Sequence, residues 1–351
     1  SETPREPKEI SPSFSSCVRS PLSLQILCRL YMMSLSEKIG NDKGDKRMYT
    51  LPQTFCDTVT HLHSHKGQKW LADFPQLIHY CEERWRINIH IHFPLSYHFV
   101  APARKADGSE LVVKFFVEPS ELLYEQEALT ALAGENTVKI VDSDAEKGIL
   151  LLEKLSPGCP LSSFSTKDEA ALIAAGLMKS LWRMPHSDST IETAIKREKQ
   201  LRECTQMYPN GIDFLSSETL QNALAVFSEL NRTSQQLFLL HGDLHHDNIL
   251  QSGEAWKIID PKGLIGEKEY EIVPFLLNHL PKTNVAETID HRINIFVKEL
   301  NVSKKRILLW GYAHSVLATC WLIEDRQDAA SFLHAIEAFQ HLYERYYGHK
   351  K

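Results

Sequence analysis

The spacing of apolar residues along the chain changes near residue 156, and this change predicts two structurally different regions. Before residue 156, short apolar runs separated by polar turns predict strands, and helical spacing predicts one helix at 72–85 and another at 122–132. The five predicted strands cover 87–93, 98–103, 111–117, 138–141 and 149–152. Five strands with a helix inserted among them predict a small α+β lobe.

After residue 156 the apolar residues recur mostly at helical spacing. The predicted helices cover 168–182, 190–208, 217–230, 270–278, 285–299, 304–321 and 328–346. One hairpin, turning near Ser252 and Gly253, interrupts this helical series. We therefore expect an α+β, two-lobed chain with a β-rich N-lobe at 48–155, a larger helical C-lobe at 156–351 and a cleft between them.

Residues 1–47 differ in composition from the rest of the chain. They are rich in serine and proline at first and end in the charged, glycine-containing stretch GNDKGDKR. Such a composition is typical of disorder, so we expect a disordered N-terminal extension with a short helix near 22–35. A later translation start and a regulatory or targeting arm are both alternatives.

The overall composition indicates an ordinary globular protein. The 351 residues are 43% hydrophobic and 24% charged, with a net charge of −6, which argues against nucleic-acid binding. Seven cysteines without a C-x-x-C pair indicate isolated thiols in a reducing compartment. No uninterrupted apolar stretch approaches the length of a membrane span. We expect a cytoplasmic protein with no nucleic acid, membrane or obligate protein partner.

The hairpin carries the candidate chemistry, in the stretch HGDLHHDNILQSGEAWKIID. Asp243 and Asn248 have the spacing of the protein-kinase catalytic loop H-R-D-x-x-x-x-N, and Asp260 ends the following apolar run. Aspartate and asparagine are also common in turns, but the apolar strands on both sides favour the kinase interpretation. This arrangement predicts Asp243 as the catalytic base and Asn248 and Asp260 as Mg²⁺ ligands.

The predicted N-lobe contains a candidate nucleotide site. Lys114 is the single lysine in the apolar strand LVVKF, where kinases place the lysine that orients the ATP phosphates. Its carboxylate partner would come from the next helix; we prefer Glu125, which shares a face with Leu129, and keep Glu127 as second choice. An edge-strand lysine that faces water is the alternative.

Two further segments are predicted to contact the nucleotide. The stretch FPLSYH at 93–98 stands where kinases have a glycine-rich loop, but it contains no glycine. Glycine would allow closer approach of the backbone, so the Ser96 hydroxyl and backbone N–H groups are the candidate phosphate contacts. In the lobe connector LLEKL, the backbone of Glu153 and Leu155 is expected to bind adenine.

These motifs resemble the aminoglycoside phosphotransferase superfamily. HGDLHHDNIL followed by IIDPKGLIGEKEYE carries the likeness, and IDPKGLIG resembles the branch of streptomycin 6-kinases and hydroxyurea-resistance kinases. FVAPARKADGSELVVKF and LLLEKLSPGCPL resemble its β-hairpin and lobe connector, so the likeness covers 48–351. The resemblance implies a protein-kinase-like fold and phosphorylation of an antibiotic hydroxyl with ATP and Mg²⁺, which would confer antibiotic resistance by inactivation. It assigns Asp243, Asn248, Asp260, Lys114 and Glu125 the roles given above.

The acceptor is predicted less directly. A polycationic aminoglycoside would suit an acidic pocket, and Glu267, Glu269 and Glu271 follow Asp260 closely enough to contribute. Acidic residues on helices more often face solvent, which is the alternative for each of them. Two other functions stay open: a kinase of an endogenous sugar or amino alcohol, and a nucleotide-binding pseudokinase that serves as an interaction module.

Overall fold

The N-terminal part of the chain forms one antiparallel sheet between two helices. The structure, a computed structural model, describes residues 50–163, 166–325 and 329–348, so the predicted extension at 1–47 lies outside the described residues. The elements are α1 (Gln53–Trp85), β1 (Ile87–Ile89), β2 (Phe99–Lys105), β3 (Glu110–Phe115), α2 (Pro119–Ala131), β4 (Ile140–Asp144) and β5 (Ile149–Glu153). The strand order in the sheet is β1-β2-β3-β5-β4.

Alternating side chains of this sheet form two apolar layers. Ile149 and Leu151 of β5 point toward α1 and join Phe74 in one buried cluster, whereas Leu150 and Leu152 point toward α2 and join a second cluster. Burial on both faces explains why β5 is continuously apolar. The α2 face also carries the Lys114 side chain, so the sheet places a buried cation directly opposite a helix.

Helix α1 is much longer than the predicted 72–85. It begins at Gln53 and is interrupted at Ser64, whose backbone has φ 49° and ψ −126°. After this kink Gly67 lies against the carbonyl of Val59, where a Cβ atom would stand 2.4 Å from the oxygen. The close approach explains the glycine, because any side chain there would force the two helical segments apart.

Among the described residues, the C-terminal part is built from seven α-helices and several short strands. The elements are β6 (Pro157–Pro160), α3 (Lys167–Leu181), α4 (Ala194–Met207), β7 (Gly211–Ile212), β8 (Leu215–Ser216), α5 (Ser217–Thr233), β9 (Phe238–Leu240), β10 (Ile249–Ser252), β11 (Ala255–Ile258), β12 (Leu264–Gly266), α6 (Lys268–Leu277), α7 (Val285–Leu300), α8 (Lys304–Glu324) and α9 (Ala330–Tyr347). The packing of α5, α6 and α9 against the long apolar helix α8 buries Trp310 completely. Short ladders join β9 to β12, β7 to β8, and β6 to the β10–β11 hairpin.

Helix α8 is also the one helix among the described residues that is long and apolar enough to cross a membrane. However, 67% of its most apolar window is buried inside the protein. Central helices of globular domains have the same length and composition. The apolar character of α8 is therefore accounted for by the packing of α5, α6 and α9 around it.

Candidate functional site

The candidate catalytic loop runs from His241 to Asn248, between β9 and β10. It is held from below by Glu271, whose two carboxylate oxygens accept the backbone N–H groups of His241 (2.6 Å) and Gly242 (3.1 Å). The His241 ring braces the same loop, with Nδ1 accepting the N–H of Asp243 (3.2 Å) and Nε2 lying 2.9 Å from the carbonyl oxygen of Ile259. Burial lowers the pKa of His241 to about 4, so the imidazole is neutral.

Asp243 lies on this braced loop with 37% of its side chain exposed. Its carboxylate accepts no hydrogen bond from the described residues and lies 3.9 Å from Nε2 of His245. Burial raises the pKa of Asp243, although the charges of His245 and Lys262 oppose the effect. A carboxylate that is accessible, held by a fixed backbone and more basic than an ordinary aspartate can accept a proton from a hydroxyl group.

Asn248 and Asp260 are brought together by the β10–β11 hairpin. Ile249 pairs with Ile258, and the N–H of Ile259 donates to the carbonyl of Asn248, so Asn248 stands opposite the residue that precedes Asp260. The Asn248 Nδ2 group donates to the carbonyl oxygen of Asp243 (2.9 Å), which leaves the amide oxygen for another partner. The site thus offers an amide oxygen and a carboxylate, both hard oxygen ligands.

Lys114 connects the sheet to this hairpin. Its Nζ atom lies 2.6 Å from Oε2 of Glu125 and also contacts Oδ1 of Asp260. Burial lowers the pKa of Lys114, but the two carboxylates outweigh it and raise the pKa, so the ammonium keeps its proton. Glu127, the second choice of partner, instead accepts a hydrogen bond from Thr190. Lys114, Glu125 and Asp260 therefore meet in one cleft between sheet and hairpin.

The segment at 93–98 leads into β2 without regular structure. Ser96 is exposed in it, and its side chain makes no hydrogen bond with the described residues. His98, at the end of the same segment, is in contrast largely buried, and the centre of its ring lies 4.6 Å from that of the Phe116 ring. Burial, together with the charge of Lys114, lowers the pKa of His98 to about 3. A neutral imidazole was not predicted at this position.

The two connector residues differ in what they can offer. The backbone N–H of Glu153 donates to the carbonyl of Lys139, and its carboxylate accepts from Lys257 (2.5 Å). The backbone of Leu155 makes no hydrogen bond with the described residues, and its side chain is 7% exposed. The backbone groups of Leu155 are therefore unbonded among the described residues, whereas the N–H of Glu153 is already used.

The three glutamates predicted to bind a cationic acceptor have other partners. Glu267 is buried and accepts from Arg306 Nε (2.7 Å) and Trp310 Nε1 (2.9 Å). Glu269 is partly exposed and accepts the N–H of Ser303 (3.0 Å). Glu271 lies beneath the catalytic loop, 0% exposed. All three already accept hydrogen bonds within the protein, and Glu267 and Glu271 are buried, so the acceptor site proposed below does not use them.

The structure adds two cations that the sequence did not single out. Lys262 lies two residues beyond Asp260, with Nζ 4.0 Å from Oδ2 of that carboxylate. Arg197, near the start of α4, has Cζ 5.1 Å from the centre of the Trp321 ring. Lys262 falls within the motif IDPKGLIG and could have been noticed there, whereas nothing in the sequence around Arg197 distinguishes it from a surface residue.

Comparison with known proteins decides the family. A protein-family model described as "Aminoglycoside/hydroxyurea antibiotic resistance kinase" matches residues 93–326, which is more than half of the chain. The chain belongs to this family. It is therefore a phosphotransferase that uses a nucleotide and has an alcohol group as acceptor, as the motif around Asp243 predicted. The predicted resemblance is confirmed.

Individual relatives agree with this membership. The chain is 25% identical over 286 residues to a streptomycin 6-kinase from Streptomyces griseus, covering 78% of this chain and 91% of the relative. It is 26% identical over 269 residues to a hydroxyurea phosphotransferase from Kitasatospora aureofaciens, covering 75% and 77%. Among solved structures, a thermostable mutant of an aminoglycoside phosphotransferase, in ternary complex with ADP and hygromycin B, is similar with a TM-score of 0.55.

That structure shares 10% sequence identity and covers 74% of this chain and 98% of its own. At such low identity the similarity concerns the fold. It confirms the predicted two-lobed, protein-kinase-like architecture, with a β-sheet N-terminal lobe and a helical C-terminal region.

Proposed function

We propose that this protein is a Mg²⁺- and ATP-dependent O-phosphotransferase whose acceptor is an aminoglycoside of the streptomycin type. The observation that carries the proposal is the convergence of Lys114, Asp260, Asn248 and Asp243 on one cleft. In this proposal residues 48–155 bind the nucleotide and residues 156–351 supply the catalytic loop and the acceptor site. The streptomycin 6-kinase and hydroxyurea phosphotransferase relatives support the acceptor class.

The proposed reaction transfers the γ-phosphoryl group to a hydroxyl oxygen of the acceptor. An O–P bond forms as the bond to the ADP oxygen breaks, and the hydroxyl proton passes to the carboxylate of Asp243. Asp243 therefore orients the hydroxyl and receives its proton, while Lys114 orients the nucleotide phosphates. The backbone hydrogen bonds that Glu271 and His241 accept from the loop hold Asp243 in position before the acceptor arrives. This lowers the entropy lost when the reacting groups are oriented.

The residues in the cleft fit Mg²⁺. The Asn248 amide oxygen and the Asp260 carboxylate are the kind of ligands this ion prefers, and phosphate oxygens and water commonly complete its coordination. Charge supports the fit, since Lys114 and Lys262 outweigh the burial of Asp260 and hold its pKa well below the ordinary range. A bound Mg²⁺ would neutralise charge on the transferred phosphoryl group. Among the described residues no cluster of three His, Cys, Asp or Glu side chains could hold a metal, so one carboxylate and one amide would be its protein ligands.

Arg197 is the residue we propose to contact the acceptor. Helix α4 starts beside β12, because Thr193 bridges to Ile265, and β12 pairs with the strand that leads into the catalytic loop. The guanidinium lies over Trp321 and donates to Oε1 of Gln200 (3.1 Å), with no described carboxylate within 4.0 Å. Burial raises the pKa of Asp243, and the charge of Arg197 is one of those that oppose the rise. Arg197 can therefore donate to acceptor oxygens next to the reacting hydroxyl.

Replacing Arg197 by methionine is expected to raise the KM for the acceptor by about tenfold or more, because hydrogen bonds from a charged donor are lost. The KM for ATP should change by less than about twofold, since the proposed nucleotide contacts come from Lys114 and other residues of 48–155. Steady-state kinetics with each substrate varied in turn measures both. Arg202→Met is the matched control, because Arg202 lies on the same helix and pairs with Glu198. Equal changes in both KM values would contradict the assignment.

A coupled assay of ADP release by the full 351-residue chain tests the function itself. Mg²⁺-ATP is supplied with streptomycin first, then other aminoglycosides, then sugars and amino alcohols. We expect streptomycin-dependent release that an Asp243→Asn variant lacks. Release with a sugar or amino alcohol alone would keep the chemistry and overturn the acceptor. ATP binding without release for any acceptor would overturn the proposed activity in favour of a nucleotide-binding module.

A further inference from the structure

Lys262 is fixed at the floor of the candidate cleft by its backbone. The N–H groups of Lys262 and Gly263 both donate to the carbonyl oxygen of His241, each at 3.0 Å. The turn requires left-handed backbone at Asp260 (φ 60°) and at Gly263 (φ 69°). The first residue of the catalytic loop and the segment after Asp260 are thus tied together, and Lys262 emerges between them.

The Lys262 ammonium lies among the charged groups of the site but is not enclosed by them. Its Nζ atom is 4.0 Å from Oδ2 of Asp260, at the outer limit of an ion pair, and 46% of its side chain is exposed. Together with Lys114, its charge outweighs burial and lowers the pKa of Asp260. Burial raises the pKa of Asp243 and of Glu121 on α2, and the charge of Lys262 opposes that rise. The charge of Lys262 therefore acts on carboxylates from three different elements.

Charge balance in the cleft shows what Lys262 is free to bind. Lys114 is 6% exposed and already contacts two carboxylates, those of Glu125 and Asp260. The segment at 93–98 contains no glycine, so its backbone cannot approach phosphate oxygens as closely as a glycine-rich loop does. Transfer of a phosphoryl group is helped by positively charged groups that lie close to its negatively charged terminal oxygens. Lys262 can supply that charge through a flexible stem that ends in a compact ammonium.

We propose that Lys262 binds the γ-phosphoryl group of the nucleotide and neutralises charge on its oxygens during transfer. The inference rests on the proposed function, because it assumes that ATP is the donor. It goes beyond that function by giving this site a second phosphate-binding lysine, contributed by the segment after Asp260. Lys262 should therefore distinguish a nucleoside triphosphate from a diphosphate, which lacks the γ-phosphoryl group.

Calorimetric titration of the full chain with ADP and with the non-hydrolysable β,γ-imido analogue of ATP, both with Mg²⁺, tests this inference. Lys262→Met should weaken analogue binding by about tenfold to a hundredfold, the range for losing a charge-assisted hydrogen bond. Binding of ADP should change by less than about twofold. Lys262→Arg keeps the charge and should retain most of the preference for the analogue. The kcat of Lys262→Met should fall by about 10²–10³, as for removal of a donor to a developing oxyanion.

Lys196→Met is the matched control. Lys196 has the same side-chain exposure of 46% and one carboxylate partner, Glu192, but it lies on α4 away from Asp260. It should leave both affinities unchanged. If Lys262→Met leaves the ratio of analogue affinity to ADP affinity unchanged, whether or not the two affinities fall, the inference is overturned and the proposed function stands. A wild-type chain that binds neither nucleotide would overturn both. Thermal melting of each variant confirms that it is folded before titration.

Discussion

Replacing Asp243 by asparagine is expected to lower kcat by about 10²–10⁴, the usual contribution of a general base. Asparagine keeps the shape of the side chain and the backbone bonds of the loop, so the fold and the site for ATP should persist. Only the ability to accept the hydroxyl proton is lost. The measurement is single-turnover transfer of the γ-phosphoryl group at saturating ATP and acceptor, with ATP affinity determined separately by titration.

Asp247→Asn is the control for this experiment. Asp247 lies on the same loop with a similar exposed fraction, 43% against 37% for Asp243. Its carboxylate accepts instead from Ser162 (2.6 Å) and lies 3.0 Å from Nε2 of His279. We expect its kcat to stay within a few-fold of wild type. Full turnover by Asp243→Asn, or equal losses in the two variants, would show that Asp243 does not act as the base.

The sequence predicted most helices because each carries a buried apolar stripe. Helix α5 buries Leu220, Ala223, Leu224 and Phe227, all at helical spacing, and its predicted and observed bounds nearly coincide. The first half of α1 could not be recognised in this way. Its buried positions are few, and histidines and a backbone kink at Ser64 interrupt the pattern. The stabilisation of that segment comes from tertiary contact, which a local pattern does not contain.

Strand β6 was missed for a different reason. It reads PGCP, two prolines and a glycine in four residues, which argues against a strand. It nevertheless pairs with β10, with Pro160 opposite Leu250, at the edge of a three-stranded sheet. Proline is tolerated in an edge strand because its nitrogen, which has no hydrogen to donate, can face away from the neighbouring strand. Only the position of the β10–β11 hairpin, fixed by the rest of the lobe, shows that such an edge exists.

Within the site, residues close together in the sequence could be predicted to lie close together in space. The direction in which a side chain points could not be predicted. Asn248 and Asp260 flank one hairpin, and Asp243 lies on the loop just before it, so their proximity follows from local pairing and short connections. Glu267 and Glu271 are four residues apart on one helical face, and that face is the buried one. Which face of α6 packs beneath the catalytic loop depends on how α6 contacts β9 and α8. The same lack of long-range information hid Arg197, which lies on α4, a helix that packs on β12.

Replacing Glu271 by glutamine is expected to remove most activity by displacing the catalytic loop. The Glu271 carboxyl group, protonated or not, presents one oxygen to each of two buried N–H groups. An amide presents one oxygen to one of them and turns its NH₂ group toward the other. A buried donor left without a partner costs about 1–3 kcal/mol. We expect a loss of this size in the free energy of unfolding at pH 5 and a fall of kcat by about 10² or more, as a misplaced base would cause.

The pH dependence of stability separates this role from a simple packing defect. Burial raises the pKa of Glu271 from 4.5 to about 7, although the N–H groups of His241 and Gly242 oppose the shift. A raised acid pKa means that the folded state holds its proton longer than the unfolded chain. The stability that protonated Glu271 gives the wild-type protein is therefore fully present below pH 4.5 and is lost as pH rises toward 7. At 1.36 kcal/mol per pKa unit, the loss in the free energy of unfolding is about 3 kcal/mol. Glutamine does not titrate, so Glu271→Gln should lack this decline.

Urea denaturation of wild type and Glu271→Gln between pH 4.5 and 8 measures the difference at each pH, which cancels the contributions of other groups. We expect that the stability advantage of wild type shrinks as pH rises. Glu269→Gln is the control, because Glu269 lies on the same helix but is partly exposed and accepts one N–H group, that of Ser303. It should cost less than about 1 kcal/mol at every pH. Parallel pH curves for wild type and Glu271→Gln would mean that Glu271 is ionised throughout, so that its two bonds outweigh its burial and hold the loop as strongly at pH 8 as at pH 5.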